Sequence, residues 1–347
     1  MQQYALQPYL GPIQADTYLS SEVDHILWGR LPCEHDDAVL RIEPDTWVTI
    51  DTLSHEGLLE DQGRDPEAFF GAHDVEEVLK DGIALAASAT PHLPGIDGPH
   101  VVSRPIEIHG AEPGDLLAIH VGPLLPRVPY GVVSNRHGRG ALPDEYPQDD
   151  AAVVSVFTPV IEGKAVIGPA RFDLAPFLGI MGVAVPGIER PHSVPPGAFG
   201  GNLDIRLLTE GSTLYLPIQV AGAKAYVGDP HFAQGDGEVA LTALEASLRA
   251  TLHFDVLPRE RAVQEFGELV GPVAETAEFL VPTGLDEDLD LAVQKAVRAA
   301  IGLLQARYGM AAHEAYAYLS AATDFRISQV VDLVKGAHAT IRKADFA

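Results

Sequence analysis

The sequence predicts a mainly β (α+β) fold, with a β-sandwich or jelly-roll-like body, a barrel-like part and a few late helices. Short stretches with strand patterning recur between Trp47 and Val227, and strict alternation of polar and apolar residues runs from Glu245 to Val256. Sustained helical spacing is concentrated after Asp286. We expect one interlocked unit over residues 1–347, with substructure that divides it into residues 1–170 and 171–347.

The first third of the chain contains strand signals and one helix signal. Trp47–Leu53 alternates as a strand does and ends at Ser54–Gly57. Asp74 and Glu77 form a capping-box pattern that predicts a helix from there to about Ala89. Residues 101–121 are typical of a strand, a turn at 112–115 and a second strand. Residues 126–147 predict a long, irregular polar loop, the class of loop that is often functional.

The remaining elements follow from the same signals. Residues 152–166 predict a hairpin that turns at Glu162–Gly163, and residues 214–227 predict further strand. The alternation over 245–256 outweighs the helical propensity of its Ala and Leu residues, so we predict a strand with one face in water. Residues 286–307 and 313–322 predict two helices, with Gly309 in the join.

Composition excludes several classes of partner. The 347 residues carry 49 acidic and 23 basic side chains, a net charge of −26 that repels nucleic acid and anionic membranes. Such a charge suits a small neutral substrate or adaptation to salt. Residues 1–20 lack the pattern of a leader, and no apolar run approaches the roughly 20 residues of a membrane span, so we expect a cytoplasmic protein. Cys33 is the single cysteine, which excludes an internal disulfide and a Cys-rich metal site.

Two polar stretches concentrate the groups that carry chemistry. Gly200–Asp204 is the first, and Gly228–Glu238 brings three carboxylates, one imidazole, one amide and three glycines together. Asp229 and His231 are two residues apart, so in extended backbone both side chains face one way. Zinc accepts His nitrogen together with carboxylate oxygen, which makes this a candidate metal site. A polar turn rich in Asp and Gly is the alternative.

Six segments in order resemble the acetamidase/formamidase family. They are Gly110–Asp115, Pro176–Ala184, Gly200–Asp204, Gly228–His231, Gln234–Glu238 and Arg326–Val331. The resemblance extends from about Trp47 to Phe346. It implies a β-rich hydrolase of small amides that depends on a divalent metal and is usually oligomeric, here expected as a homodimer.

The candidate metal ligands are Asp204 and His231, with Asp51 or His55 completing the set. In many relatives a Thr-x-Asp pattern supplies an acid near residue 54, where this chain has Ser54. Asp51, His55 or Glu56 could take over that role. Zinc is the favoured ion, and calcium or manganese would suit a more oxygen-rich set. Asp229 could instead orient His231.

The candidate catalytic residues are Glu238, as general base, and His137, in the wall of the pocket. Asn202 and Gln234 are candidates for binding substrate. A G-x-S-x-G elbow does not occur, and Cys33 lacks a glycine-rich elbow, so water activated by a metal is the expected nucleophile. We therefore predict hydrolysis of the C–N bond of a formamide-like or acetamide-like substrate to carboxylate and ammonia. The alternatives are a larger or cyclic amide, and a non-catalytic metal-binding protein.

Overall fold

The computed structural model describes residues 5–149 and 151–346. Strands dominate, as predicted. In chain order they are β1 Thr17–Leu19, β2 Ile26–Trp28, β3 Leu40–Ile42, β4 Thr46–Asp51, β5 Val101–Ser103, β6 Ile106–Ile108, β7 Leu116–Pro126, β8 Tyr130–Arg136, β9 Val153–Ile161, β10 Lys164–Ile167, β11 Ala170–Asp173, β12 Phe177–Val183, β13 Gly200–Asn202, β14 Thr213–Pro217, β15 Ala225–Ala233, β16 Leu244–Glu245, β17 Leu248–Leu257, β18 Val273–Glu275, β19 Phe279–Asp286, β20 Asp324–Gln329 and β21 Lys335–Arg342.

The strands form two large sheets. The first runs β1-β4-β17-β7-β14-β18-β19-β21-β20, and the second runs β11-β10-β9-β8-β16-β15-β12-β13, with β2, β3, β5 and β6 attached beside β15. Both paths are open at their ends, and the described strands form no closed barrel, so the barrel-like part is not seen. Most neighbouring strands are antiparallel, and β1–β4 and β3–β6 are parallel pairs.

One hydrophobic core joins the two sheets. Its largest cluster includes Val48 and Leu252 from the first sheet and Met181 and Phe232 from the second. All four side chains are fully or almost fully buried. Residues from both halves of the chain therefore share this core, while the division into domains stays a prediction.

Five α-helices lie within the described residues. They are α1 Pro66–Gly71, α2 Lys80–Ala87, α3 Arg259–Phe266, α4 Leu289–Tyr308 and α5 Ala312–Ala322. The two predicted late helices are α4 and α5. The Asp288 side chain caps α4 at the Leu291 N–H, and Gly309 ends it with a φ of 65°. Among the described residues, no helix combines the length and the apolar character that crossing a membrane requires.

The predicted helix start at Asp74 is wrong. Asp74 has a φ of 61°, and α2 begins only at Lys80. A tertiary contact sets this boundary, because the Gln7 side chain accepts from Lys80 N at 2.9 Å and donates to Val78 O at 3.0 Å. The distant amide thus takes the place of the local capping box.

Two further expectations need correction. The irregular stretch predicted at 126–147 contains β8, which pairs with β9 over its whole length. The strand predicted at 245–256 is confirmed as β16 and β17, but it has no wet face along most of its length. β17 lies between β4 and β7, so its polar residues meet partners inside the sheet: Arg249 faces Asp51, and Thr251 faces Thr49.

Candidate metal centre

Strand β15 places the central pair of the site. Asp229 and His231 lie two residues apart and face the same side, with His231 Nε2 at 3.1 Å from Asp229 Oδ2. Strand β16 sets Glu245 opposite His231 in the register, so Glu245 Oε1 also lies 3.1 Å from His231 Nε2. The two side chains converge as the sequence predicts, although Asp229 has a φ of 52° and so departs from the extended backbone on which that prediction was based.

Two more imidazoles approach the same carboxylates from the other side. His55 follows β4 and places Nδ1 at 3.8 Å from Asp229 Oδ1 and at 3.9 Å from Glu245 Oε2. His100 precedes β5, with Nε2 at 3.9 Å from Asp229 Oδ1 and Nδ1 at 3.0 Å from Ser193 Oγ. Asp229 and Glu245 therefore each present one oxygen to His231 and the other to His55.

A second group of carboxylates flanks the other nitrogen of His231. Asp204 Oδ1 lies 3.8 Å from His231 Nδ1, and Glu238 completes a set whose donor atoms lie within 4.8 Å of one another. Asp332 adjoins Asp204, and its Oδ2 accepts from Asn202 Nδ2 at 2.9 Å. Three segments that are distant in the chain, 202–204, 231–238 and the one that contains Asp332, therefore meet here.

A glycine makes this convergence possible. A Cβ atom on Gly179 would lie 2.5 Å from Asp229 Oδ2 and 2.6 Å from both Asp204 Oδ1 and His231 Cε1. The backbone of β12 therefore forms the floor on which the three side chains lie. Any larger residue at this position would push them apart.

The loop that carries Glu238 is tied to the C-terminal strands. Gln234 Nε2 donates to Asp204 O at 2.8 Å and to Ser328 O at 3.2 Å. Gly237 N donates to the same Ser328 carbonyl at 3.0 Å. These bonds fix the position of Glu238 relative to Asp204.

Burial shapes the ionisation of the carboxylates. Burial, together with the charge of Asp332, raises the pKa of Asp204, and burial together with Asp204 raises that of Glu238. Burial likewise raises the pKa of Asp332 to about 7. For Asp229, burial is outweighed by the surrounding imidazoles, and its pKa is lowered.

The imidazoles divide into two kinds. Burial lowers the pKa of His100 to about 4, so this ring is neutral at pH 7 and free to bind a cation. Burial also opposes the charged form of His231, but Glu245 and Asp229 outweigh it and raise the pKa of that ring. The pKa values of these groups depend on the charges of their neighbours, so a bound divalent cation would shift them.

The donor atoms fit a divalent metal. Buried atoms without a hydrogen-bond partner among the described residues include His55 Nδ1, both ring nitrogens of His231, both Asp204 oxygens, Asp229 Oδ1, Glu238 Oε2 and Glu245 Oε2. Buried polar atoms are normally paired, so such a concentration needs an explanation. Zinc ligands lie about 2.0–2.2 Å from the ion, which puts two ligands of one ion roughly 3–4 Å apart, as the separations here are.

The structure brings most of the predicted site residues together. His55, Asp204, His231 and Glu238 lie in the cluster, and Asn202 and Gln234 bond to its members.

Asp51 and His137 lie elsewhere. Asp51 binds Arg249 Nε at 2.6 Å and accepts from Tyr18 OH at 2.6 Å, so its carboxylate is already engaged. His137 is exposed in the turn after β8, so its side chain lies in water and not in the buried cluster. The geometry therefore supports neither Asp51 as a metal ligand nor His137 as a catalytic residue.

Three members of the cluster were missed as ligands or site residues. Glu245 was predicted only as the first residue of the alternating strand over 245–256, although its position opposite His231 follows once the strand register is known. His100 and Asp332 carry no local signal. Asp332 does directly follow the last segment of family resemblance, which is the one sequence clue to it.

The comparisons with known proteins identify the family. The model of the acetamidase/formamidase family matches residues 89–192 and 187–342, which is more than half of the chain. The chain belongs to the acetamidase/formamidase family. The predicted resemblance is confirmed.

Curated acetamidase/formamidase relatives match over part of their length. A Schizosaccharomyces pombe protein provisionally named as a formamidase is 29% identical over 233 residues, or 50% of this chain and 56% of the relative. The acetamidase of Mycolicibacterium smegmatis is 26% identical over 234 residues, or 50% of this chain and 57% of the relative. The chain thus spans little more than half the length of these relatives.

A solved structure of an acetamidase from Bacillus halodurans shares the fold. The two chains superpose with a TM-score of 0.76 at 24% identity, over 95% of this chain and 98% of the other. In the present chain, a cavity of about 430 Å³ opens beside the cluster, and its lining includes Gln234 and Glu238. The buried donors therefore have a neighbouring space that a substrate can enter.

Proposed function

We propose that the protein is a metal-dependent hydrolase that cleaves the C–N bond of a small aliphatic amide, such as formamide or acetamide, to carboxylate and ammonia. The observation that carries the proposal is the set of unpaired, buried His, Asp and Glu atoms beside a cavity. The names of the curated relatives, formamidase and acetamidase, support the same reaction.

The cation would be held between β15 and β16. Asp229, His231 and Glu245 form the tightest group of donors, with both separations at 3.1 Å. Asp204 approaches from one side of this group and His55 from the other, each at 3.8 Å from a member. The mixture of nitrogen and oxygen suits zinc, while a set that used mainly the carboxylates would suit calcium or manganese.

A divalent cation at this position would lower the pKa of water and polarise an amide oxygen. In this proposal Glu238, which is buried at the edge of the cavity with an unpaired Oε2, would take a proton from water and return it to the departing amine. Asn202 Oδ1 and Gln234 Oε1 are also unpaired and buried. Both are acceptors, which is what the N–H groups of a primary amide require.

The test is ammonia release from purified protein with formamide, acetamide and a lactam, before and after treatment with a chelator. We expect turnover of the short linear amides, loss of it on chelation, and recovery with one divalent metal. The variant E238Q should lose turnover at unchanged metal content. The exposed control E210Q should keep its turnover. Turnover that resists complete metal removal would refute the metal-dependent reaction.

Full metal content without hydrolysis across the panel would favour the non-catalytic alternative. Faster turnover of the lactam than of acetamide would favour the cyclic amide. The homodimer and the cytoplasmic location stay predictions, and light scattering of the purified protein tests the first of them.

A further inference from the structure

One guanidinium at the mouth of the cavity has no partner among the residues that the structure describes. Arg206 lies two residues after Asp204 and lines the same 430 Å³ cavity as Glu238 and Gln234. Its side chain is exposed, and it forms no ion pair or hydrogen bond with any residue in the described ranges. A free cation is notable in a chain whose net charge is −26.

Two of the three acidic residues that line the cavity are paired with other cations, and the third is the buried Glu238. Asp173 pairs with Lys164 Nζ at 2.6 Å, and Asp236 pairs with Arg326 Nη1 at 3.3 Å. Neither aspartate is bonded to Arg206. Arg206 is therefore a positive charge without an acidic partner in the described part of the chain, and it can attract an anionic group.

The cavity that Arg206 and Glu238 line, about 430 Å³, is larger than the smallest amides need. Acetamide has four non-hydrogen atoms and would leave most of this space filled by water. Val133, Phe172 and Leu244 contribute apolar surface to the wall, which suits a short chain of methylene groups.

We propose that the site prefers a primary amide that carries a carboxylate at the other end of a short aliphatic chain. The amide end would lie at Glu238 and Gln234, the methylene groups along the apolar wall, and the carboxylate against Arg206. A guanidinium binds a carboxylate through two parallel N–H···O bonds, so Arg206 would select for that end. This inference rests on the proposed amide hydrolysis.

A matched pair of substrates tests it. Succinamate differs from butyramide by a carboxylate in place of the terminal methyl, and malonamate and glutaramate vary the chain length. We expect kcat/KM for the best of the three anionic amides to exceed that for the matched neutral amide about tenfold, as for a partly exposed charged hydrogen bond. The preference should weaken as salt increases.

Variants of Arg206 separate this role from a solvated surface charge. R206Q should bring the ratio of kcat/KM for the anionic amide to that for its neutral match close to one. R206E should reverse the preference toward 4-aminobutyramide. R41Q removes an exposed arginine paired with Glu107, away from the cavity, and should keep the wild-type ratio.

The outcomes distinguish the two proposals. Equal rates for anionic and neutral amides, or a ratio unaffected by R206Q, would overturn the inference while amide hydrolysis stands. If no amide is hydrolysed, the proposed function fails, and calorimetric binding of succinamate still decides the inference. Tighter binding to wild type than to R206Q supports it, and equal or absent binding to both refutes it.

Discussion

Replacing Asp51 distinguishes a structural carboxylate from a metal ligand. Asp51 accepts from Arg249 Nε at 2.6 Å and Nη2 at 2.9 Å, and from Tyr18 OH at 2.6 Å. Arg127 Nη2 lies 3.6 Å away and also pairs with Asp81. In D51N the two buried guanidinium groups would keep one carboxylate between them instead of two.

The expected cost follows from this geometry. Removing one partner of a buried ion pair costs about 3–5 kcal/mol, because the remaining charge stays buried without compensation. That is a large part of the roughly 5–15 kcal/mol by which a domain is stable. We expect D51N to lower the free energy of unfolding by this amount in urea titrations followed by Trp fluorescence, with metal content unchanged.

A chelator provides the decisive comparison. If Asp51 acts through the arginines, the loss in D51N will be the same with and without the chelator. The control D45N removes an exposed carboxylate paired with His253 at 2.8 Å and should cost less than about 1 kcal/mol. A loss in D51N that disappears on chelation, together with reduced metal content, would refute the reasoning and restore Asp51 as a ligand.

Two further perturbations test the packing of the site and the burial of a distant histidine. G179A should lose bound metal and turnover while remaining folded by circular dichroism, because the added Cβ would overlap Asp229, Asp204 and His231; G235A, where a Cβ meets nothing within 4 Å, should retain both. Burial lowers the pKa of His338 to about 4, so its contribution to stability is present above pH 6.5 and is lost as pH falls from there toward 4. The Asn side chain of H338N can still bond to Ser328. Between pH 7.5 and pH 5, the free energy of unfolding of H338N should therefore fall by roughly 2 kcal/mol less than that of wild type. Equal decreases in the two proteins would contradict this.

The fold could be predicted where the signal was local. The alternation at 245–256 and the hairpin at 152–166 are properties of a few neighbouring residues, and both elements are present. The capping box at Asp74 failed for the opposite reason. Gln7, distant in sequence, supplies the bonds that set the helix boundary at Lys80.

The site was predictable to the extent that it lies on one strand. Asp229 and His231 were predicted as a pair from the period of extended backbone, although Asp229 itself has a φ of 52°. Glu245 needed the register between β15 and β16, which the sequence does not specify. Asp332 needed the contact between Asn202 and the C-terminal segment, which joins residues 130 positions apart.

Asp51 shows why the partners of an acid are difficult to predict from sequence. Its position at a strand end close to His55 suited a ligand equally well. Its true partners, Arg249 and Arg127, come from β17 and from the turn after β7, and they pair with it across the first sheet. A carboxylate opposite an arginine in an antiparallel register is held by that arginine, whatever lies further along its strand.

The proposed position of the cation rests on how His231 meets its neighbours. Its Nε2 lies 3.1 Å from both Asp229 Oδ2 and Glu245 Oε1. Three donors that converge this closely suit the ligands of a single cation. We therefore expect H231Q to lose bound metal, and H100Q, whose ring is 3.9 Å from Asp229, to lose less of it in equilibrium dialysis. The reverse order would move the cation to the His55 and His100 side of the two carboxylates.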